Sequence, residues 1–353
     1  MKVHKMVAVS SVALLAVVGC SSATQEGNGS AGTGTQPESI VVAGYGGTFS
    51  DAQRVAYYEP FTTETGIGIV EAETSIAALQ SQVDTGNVQW DVMVLSTTDL
   101  AQGTANDLFE SVDGVVDPAN FVTDTVTDYG IGLDFSSNVL AWNTEKIGSA
   151  APQSWSDFWD FDKFPGKRAV PSWGPDAQLF EFALLADGVA MDSLYPLDVD
   201  RALRKLEELR DDMIVYDSNA QGLQLVTGGQ ADMALLPNGR VELAARSSMP
   251  IDFTFNEGAL VVDWAAIPKG APNADAAKEF LRFATEVPQQ QAFLAQIPYS
   301  GTNTGSLEGL SPSVLRTLPT NEEAMAVQFR PDAAYYAEHG SELVTAWQGF
   351  LYG

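Results

Sequence analysis

Short apolar runs alternate with stretches of helical spacing along most of the chain. Residues 40–43 (Ile-Val-Val-Ala) predict a buried strand ending at Gly44, and 51–65 a helix. Residues 67–72 predict the next strand. Thr74 then caps a helix running to 84, with Ile76, Leu79 and Val83 on one face. Trp90-Asp91 leads into a short, fully apolar strand at 92–95. The pattern returns at 139–142, a strand. Ser154 and Asp157 approximate an N-terminal cap for an aromatic helix at 155–159. Further strands are predicted at 169–170 and 233–236, and helices at 200–212, lined by Leu203, Leu206 and Leu209, and at 221–227, closed by Gly228-Gly229. Residues 259–267 form a long apolar strand interrupted by Asp263. Asn273 caps a helix whose inner side is Ala277, Phe280, Leu281 and Ala284, stopped by Pro288. Apolar strands separated by helices predict an α/β fold with mostly parallel sheets flanked by helices.

The N-terminus changes the picture. Lys2, His4 and Lys5 precede the apolar run 6–18 and Gly19-Cys20. That run is too short to span about 30 Å of hydrocarbon but suits a cleaved secretory segment, residues 1–20. Val17-Val18-Gly19-Cys20 resembles a bacterial lipobox, in which the cysteine becomes the acylated first residue. Cys20 is the single cysteine, so no intrachain disulfide forms. Residues 21–39, rich in Ser, Gly, Thr and Gln, read as a flexible tether, because they cannot bury enough surface to offset chain entropy. The expected location is extracytoplasmic, anchored to the cell membrane by a lipid. Roughly 315 residues remain, which suits two lobes better than one.

Charge and chemistry narrow the function. The 46 acidic against 18 basic residues give a formal charge of -28, which repels nucleic-acid phosphates and excludes DNA or RNA as a partner. The two histidines are His4 and His339, and no cysteine follows Cys20. Neither a His-rich metal site nor a thiol nucleophile can be assembled, and the Gly-x-Ser-x-Gly elbow and the phosphate loop are both missing. No cofactor is expected, and the chain reads as a non-enzyme. Paired carboxylates for a cleft hydrolase are not singled out by any feature. Small molecules bind beyond the carboxyl ends of parallel strands. The loops that matter are therefore 45–50, 96–99, 172–178 and 237–240, with the strand around Asp263. In the first of these, Gly46 and Gly47 let the backbone turn and approach a ligand.

Several segments together resemble periplasmic binding proteins of the spermidine/putrescine type. They are Pro60-Phe61-Thr62-Thr63-Glu64-Thr65-Gly66-Ile67, Asp91-Val92-Met93-Val94-Leu95-Ser96, Ser154-Trp155-Ser156-Asp157-Phe158-Trp159 with Phe164-Pro165-Gly166-Lys167, Asp263-Trp264-Ala265-Ala266-Ile267-Pro268, and the aromatic stretch 329–350. The resemblance implies a type II periplasmic-binding-protein fold with the ligand cleft between two lobes. Lobe 1 would comprise 40–135 plus 264–305, and lobe 2 would comprise 136–263 plus 306–353. It also implies a monomer that closes on its solute and docks on the permease subunits of an ABC importer.

At the cleft, the resemblance implies that Asp263 is the central carboxylate, with Tyr45 in the first loop and Phe135 at the crossover. The second lobe departs from the pattern. Gln178 stands where an acid is expected, Asp176 supplies one only approximately, and Pro237, Val261 and Thr98 stand where aromatic residues are expected. Fewer carboxylates and aromatic faces argue against a long polycation. Arg240 opposite Asp263 suits a small amine-containing zwitterion. Trp173 is a candidate wall, and Ser96, Thr97, Ser136, Ser137 and Asn138 are candidate polar contacts. A small organic anion and ferric iron are the alternative ligands. Iron would use the adjacent pairs Tyr57-Tyr58 or Tyr335-Tyr336, both set in helical patterns.

Overall fold

The structure, a computed structural model, describes residues 36–148 and 150–353. The predicted signal segment, the acylation site at Cys20 and the tether up to residue 35 lie outside the described residues.

The first strand, β1 (Ser39–Gly44), is flanked by β2 (Gly68–Glu73) and β3 (Val92–Leu95), both parallel to it. The helix after β1 starts at Gly47 rather than at 51. It runs from Gly47–Gln53 through a π turn, Arg54–Tyr58, into Glu59–Thr65, and ends at Gly66 in the left-handed conformation. The cap of the next helix, Ile76–Thr85, is Ser75, whose Oγ accepts from the Ala78 N–H at 3.2 Å. Thr74, the predicted cap, instead donates its hydroxyl to the Val94 carbonyl at 2.9 Å, tying the loop to β3.

A second parallel set contains β5 (Arg168–Pro171) between β6 (Met213–Tyr216) and β7 (Met233–Pro237). The predicted helix 200–212 stops early, as Val199–Glu207, and a 3-10 turn at Arg210–Asp212 feeds β6. Pro288, read as a stop, lies in the first turn of a further helix, Val287–Gln296, where its missing N–H costs nothing.

Two long strands join these sets. β4 (Ile131–Asn143) and β8 (Ile251–Ala266) pair antiparallel along most of their length. β8 also pairs antiparallel with β3, and β4 with β7 and with the short β9 (Ser300–Gly301). The strand order is β2-β1-β3-β8-β4-β7-β5-β6. Each half thus keeps a parallel set of three strands, and the sheet as a whole is mixed because the chain crosses between the halves and returns antiparallel. Register shifts at Gly132/Asp134 and Asn138/Leu140 bend the pair, as β-bulges do.

Each half is a sheet between helical layers. In one, Phe61, Val92, Phe280, Leu281 and Phe293 pack together, and Leu79, Trp90, Met93, Phe109 and Trp264 form a second cluster. In the other, Trp155, Phe158, Phe180, Phe182 and Leu206 pack with Tyr336, Leu343 and Trp347 of the terminal helix Ala333–Tyr352, while Tyr216, Val226, Leu236 and Val241 form a separate group. The fold is a two-lobed α/β architecture.

Asn238 braces the junction of the halves. It is fully buried; its Oδ1 accepts from the Ser137 N–H at 2.9 Å, and its Nδ2 donates to the Pro298 carbonyl at 3.0 Å. Asn238→Ala strands both backbone groups, at a cost of about 2–4 kcal/mol. Denaturant unfolding measures this, and a loss below about 0.5 kcal/mol would remove the brace from the account.

Candidate ligand site

The site grows out of the β4–β8 pair. Register sets Asp134 directly opposite Asp263, so both carboxyls leave the same face of the sheet. Ser136, two residues along, reaches that face too, and its Oγ lies 3.5 Å from Asp263 Oδ2. Asp134 is fully buried, and neither of its oxygens meets a hydrogen-bond donor. Burial, then the charge of Asp263, holds Asp134 well above the usual carboxylate range. Burial also raises Asp263, to about 6, against the opposing pull of its neighbours Asp134, Arg240, Ser136 and Tyr45.

Tyr45 comes from the loop after β1. Gly46 and Gly47, at φ 69° and 60°, turn the chain there into the helix beginning at Gly47. The Tyr45 ring packs edge-on against Phe49 at 5.6 Å and keeps 39% of its surface accessible. Desolvation pushes its phenol up first, and the charges of Asp263, Asp99, Asp134 and Asp176 push it further. The charges of four acids thus act on one phenol.

Arg240 enters from the other half, in the first turn of the helix Asn238–Arg246. Its Nη1 donates to Thr48 Oγ1 at 2.9 Å, and a Cβ on Gly47 would sit 3.4 Å from the same nitrogen. Burial raises both Asp263 and Tyr299, and the charge of the nearby guanidinium offsets part of the rise in each. Gly239 is required beside it, because a Cβ there would come within 2.4 Å of the Tyr299 ring. A cation in the first turn opposes the helix dipole, so the position favours an incoming anion.

A second acidic pair bridges the halves. Asp99 lies in the first turn of the helix Thr97–Ala105, with its N–H on the Ser96 cap at 3.1 Å. Asp176 sits in the turn after β5 and is raised to about 7 by burial and then by Asp99, with the nearby Thr98 hydroxyl pulling the other way.

The structure therefore gathers Tyr45, Gly46, Gly47, Ser136, Arg240 and Asp263, with Asp176 nearby. Ser96 and Thr97 are adjacent but engaged, Ser96 as a cap and Thr97 accepting from Trp264 Nε1 at 2.9 Å. Gln178, at φ 60°, also spends its amide locally: it accepts from Asn138 Nδ2 at 2.7 Å and donates to the Asp176 carbonyl at 3.0 Å. Trp173 is half-buried, edge-on to Tyr216 at 5.5 Å. Phe135 leaves the opposite face of β4 from Asp134 and Ser136. Its ring lies under the Arg330 guanidinium at 5.3 Å, in a separate cavity of about 270 Å³ lined also by Val122 and Met325.

Sequence reading missed Asp134 and Tyr299, and named Thr48 and Asp99 only as members of the loops 45–50 and 96–99. For Asp134 the signal was present, since an acid interrupts the apolar stretch Ile131-Gly132-Leu133-Asp134-Phe135 as Asp263 interrupts its own. Among the described residues, no group of three or more His, Cys, Asp or Glu could hold a metal ion. Both tyrosine pairs lie inside helices; Tyr336 donates to Glu181 at 2.7 Å and Tyr58 to Gln53 at 2.8 Å.

Asp176 makes stability depend on pH. In the fold it keeps its proton up to about pH 7, whereas the unfolded chain releases it near pH 4. The folded state binds more protons across that window, so stability falls as pH rises through it. Asp176→Asn should raise the Tm by about 2 °C or more at pH 8 and much less at pH 4. Equal shifts at both values in thermal unfolding would contradict the assignment.

The model of the family "Bacterial extracellular solute-binding protein" matches residues 56–320. Over 317 residues the chain is 33% identical to the gamma-aminobutyric acid-binding protein of Pseudomonas aeruginosa, across 87% of this chain and 89% of that protein. A solved GABA receptor superposes with a TM-score of 0.81 at 34% identity, covering 88% of this chain and 97% of its own. The binding protein MotA from A. tumefaciens B6, in complex with glucopine, gives 0.84 at 30% identity, covering 88% and 99%. The sequence resemblance to the spermidine/putrescine type thus holds at the broader level of type II solute-binding proteins, among relatives of the GABA- and opine-binding kind. Their role is transport, not catalysis. This chain belongs to the family of bacterial extracellular solute-binding proteins.

Proposed function

We propose that the protein captures a small zwitterion, with one ammonium and one carboxylate, between its lobes and delivers it to the permease subunits of an ABC importer. The observation that carries this is the placement of Arg240, which reaches Thr48 in the first lobe, beside Asp263 on the β4–β8 pair that joins the lobes, where the guanidinium charge partly offsets the burial that raises the carboxyl. Asp263 pairs with the ammonium. Arg240 takes the carboxylate through two parallel N–H bonds, a geometry its planar fork favours. Tyr45 supplies an aromatic wall between them, and Gly46-Gly47 let the backbone come close.

The named relatives support this reading, because a GABA-binding protein takes an amine and a carboxylate on one short chain. Contacts between the halves support capture by closure. Arg240 reaches Thr48 on the far side, and Thr98 packs so closely on Gly340 of the terminal helix that a Cβ there would lie 3.3 Å from its methyl group. A ligand that touches both sides shifts the population toward the closed form, which the permease then reads. The division into 40–135 plus 264–305 and 136–263 plus 306–353, and a lipid anchor at Cys20, complete the proposal. A tethered receptor stays near the permease while its domain moves freely.

Isothermal titration with 4-aminobutyrate, backed by tryptophan fluorescence, tests this directly. Saturable binding is expected; binding only of neutral sugars or simple anions would refute the zwitterion. Asp263→Ala should cost about 2 kcal/mol or more, roughly thirtyfold in Kd. Arg240→Lys should cost about tenfold, since a single ammonium cannot reproduce the bidentate fork. Unchanged affinity in either variant would remove that residue from its role.

A further inference from the structure

We infer that Asp134 is a protonated, neutral hydrogen-bond donor to an ionised Asp263, so that the acidic end of the cleft offers one negative charge and selects a single ammonium over a diamine. This rests on the zwitterion reading and adds to it a positioning residue and a rule for the ligand's charge.

The register carries the argument. Asp134 and Asp263 are direct cross-strand partners, and opposed residues of an antiparallel pair hold their Cβ atoms about 4.5–5.5 Å apart. Two buried carboxyls at that separation cannot both ionise. Asp134 is fully buried, and neither oxygen has an N–H or O–H donor. A shared proton resolves both difficulties, since a protonated Asp134 turns one orphaned oxygen into a donor aimed at its neighbour.

The surroundings assign the proton to Asp134. Asp263 is favoured as an anion by the Arg240 guanidinium from the helix Asn238–Arg246, by Ser136 on β4 and by Tyr45 from the first loop. Asp134 meets no cation. The titratable groups that sense it are Tyr57 from the helix after β1, Tyr45, and Tyr299 next to β9, besides Asp263 itself. The Tyr57 hydroxyl is buried and unpartnered as well. Burial raises both acids, with Asp263 at about 6 and Asp134 well above its ordinary value.

Charge balance then fixes the ligand class. Arg240 matches one carboxylate, and the pair, with one proton, matches one ammonium. A second ammonium would replace the carboxylate at Arg240, setting cation against cation. A diamine would leave a buried cation without a counter-charge.

Infrared difference spectroscopy of the ligand-free protein, wild type against Asp134→Asn, gives the first test. A protonated-carboxyl stretch present at pH 7.5 and lost in the variant is expected; its absence from the wild type would overturn the assignment. Titration with 4-aminobutyrate and with putrescine gives the second. Wild type should bind 4-aminobutyrate at least about tenfold more tightly than putrescine, and lose affinity as pH falls through about 6, where Asp263 takes up its own proton. Asp134→Ala should weaken 4-aminobutyrate by about tenfold or more and move that pH midpoint upward, because the donor that stabilises ionised Asp263 is gone. Asp134→Asn, whose amide still donates, should recover most of both losses. If Asp134 were a second anion, both variants would move the midpoint downward and Asn would rescue nothing, which overturns the inference. Preference for putrescine would do the same. Failure of every amine to bind would refute the zwitterion and the ligand rule together, and the infrared band, read without ligand, would still decide the proton.

Discussion

The antiparallel pairing of β4 with β8 is the constraint on which the rest of the structure depends. Each half could form its own parallel strands, but only this pair runs through both and holds Asp134 opposite Asp263 between them. A slip of β4 by one residue would turn Asp134 to the other face, away from Asp263, and bring Phe135 forward instead. The bulges on either side and the fully buried Asn238 bracket the stretch that must keep its register.

Around that pair the electrostatics are lopsided. The charges of Asp99, Asp134, Asp176 and Asp263 act on Tyr45, and Arg240 is the cation whose charge reaches Asp263. In bulk water such a grouping would matter little. Enclosed by protein, it raises the cost of every unpaired charge, so protons are retained where counter-charges are lacking. The chain's overall charge of -28 adds a long-range pull on cations but carries no selectivity. Selectivity comes from the few groups whose positions are fixed: a planar guanidinium at a helix start, and a carboxyl held by its cross-strand neighbour.

Several roles read from residue type alone changed once partners were visible. Ser96, Thr97 and Gln178 carry the right atoms for a ligand, yet each is committed to a cap, an indole or a turn. Phe135 has the right bulk but leaves the wrong side of its strand to meet Asp263. Conversely, Thr48 and Tyr299 looked unremarkable in sequence and gained meaning through Arg240. Short strands were also hard to read: β6 (Met213–Tyr216) follows a 3-10 turn that extended the helical pattern.

By itself the sequence determined the local elements, from β1 to the helix Ala274–Ala284, because apolar periodicity and caps act between residues close in the chain. It also marked Asp263 and Arg240, since a charge inside an apolar strand or at a helix start violates the local pattern and demands a partner. Tertiary structure alone decided which partner each one has. Asp134 and Asp263 lie far apart in sequence, and their meeting is set by strand register, which depends on the whole core packing at once. The mixed sheet follows for the same reason, as local periodicity records that a strand exists but not the direction in which its neighbour runs.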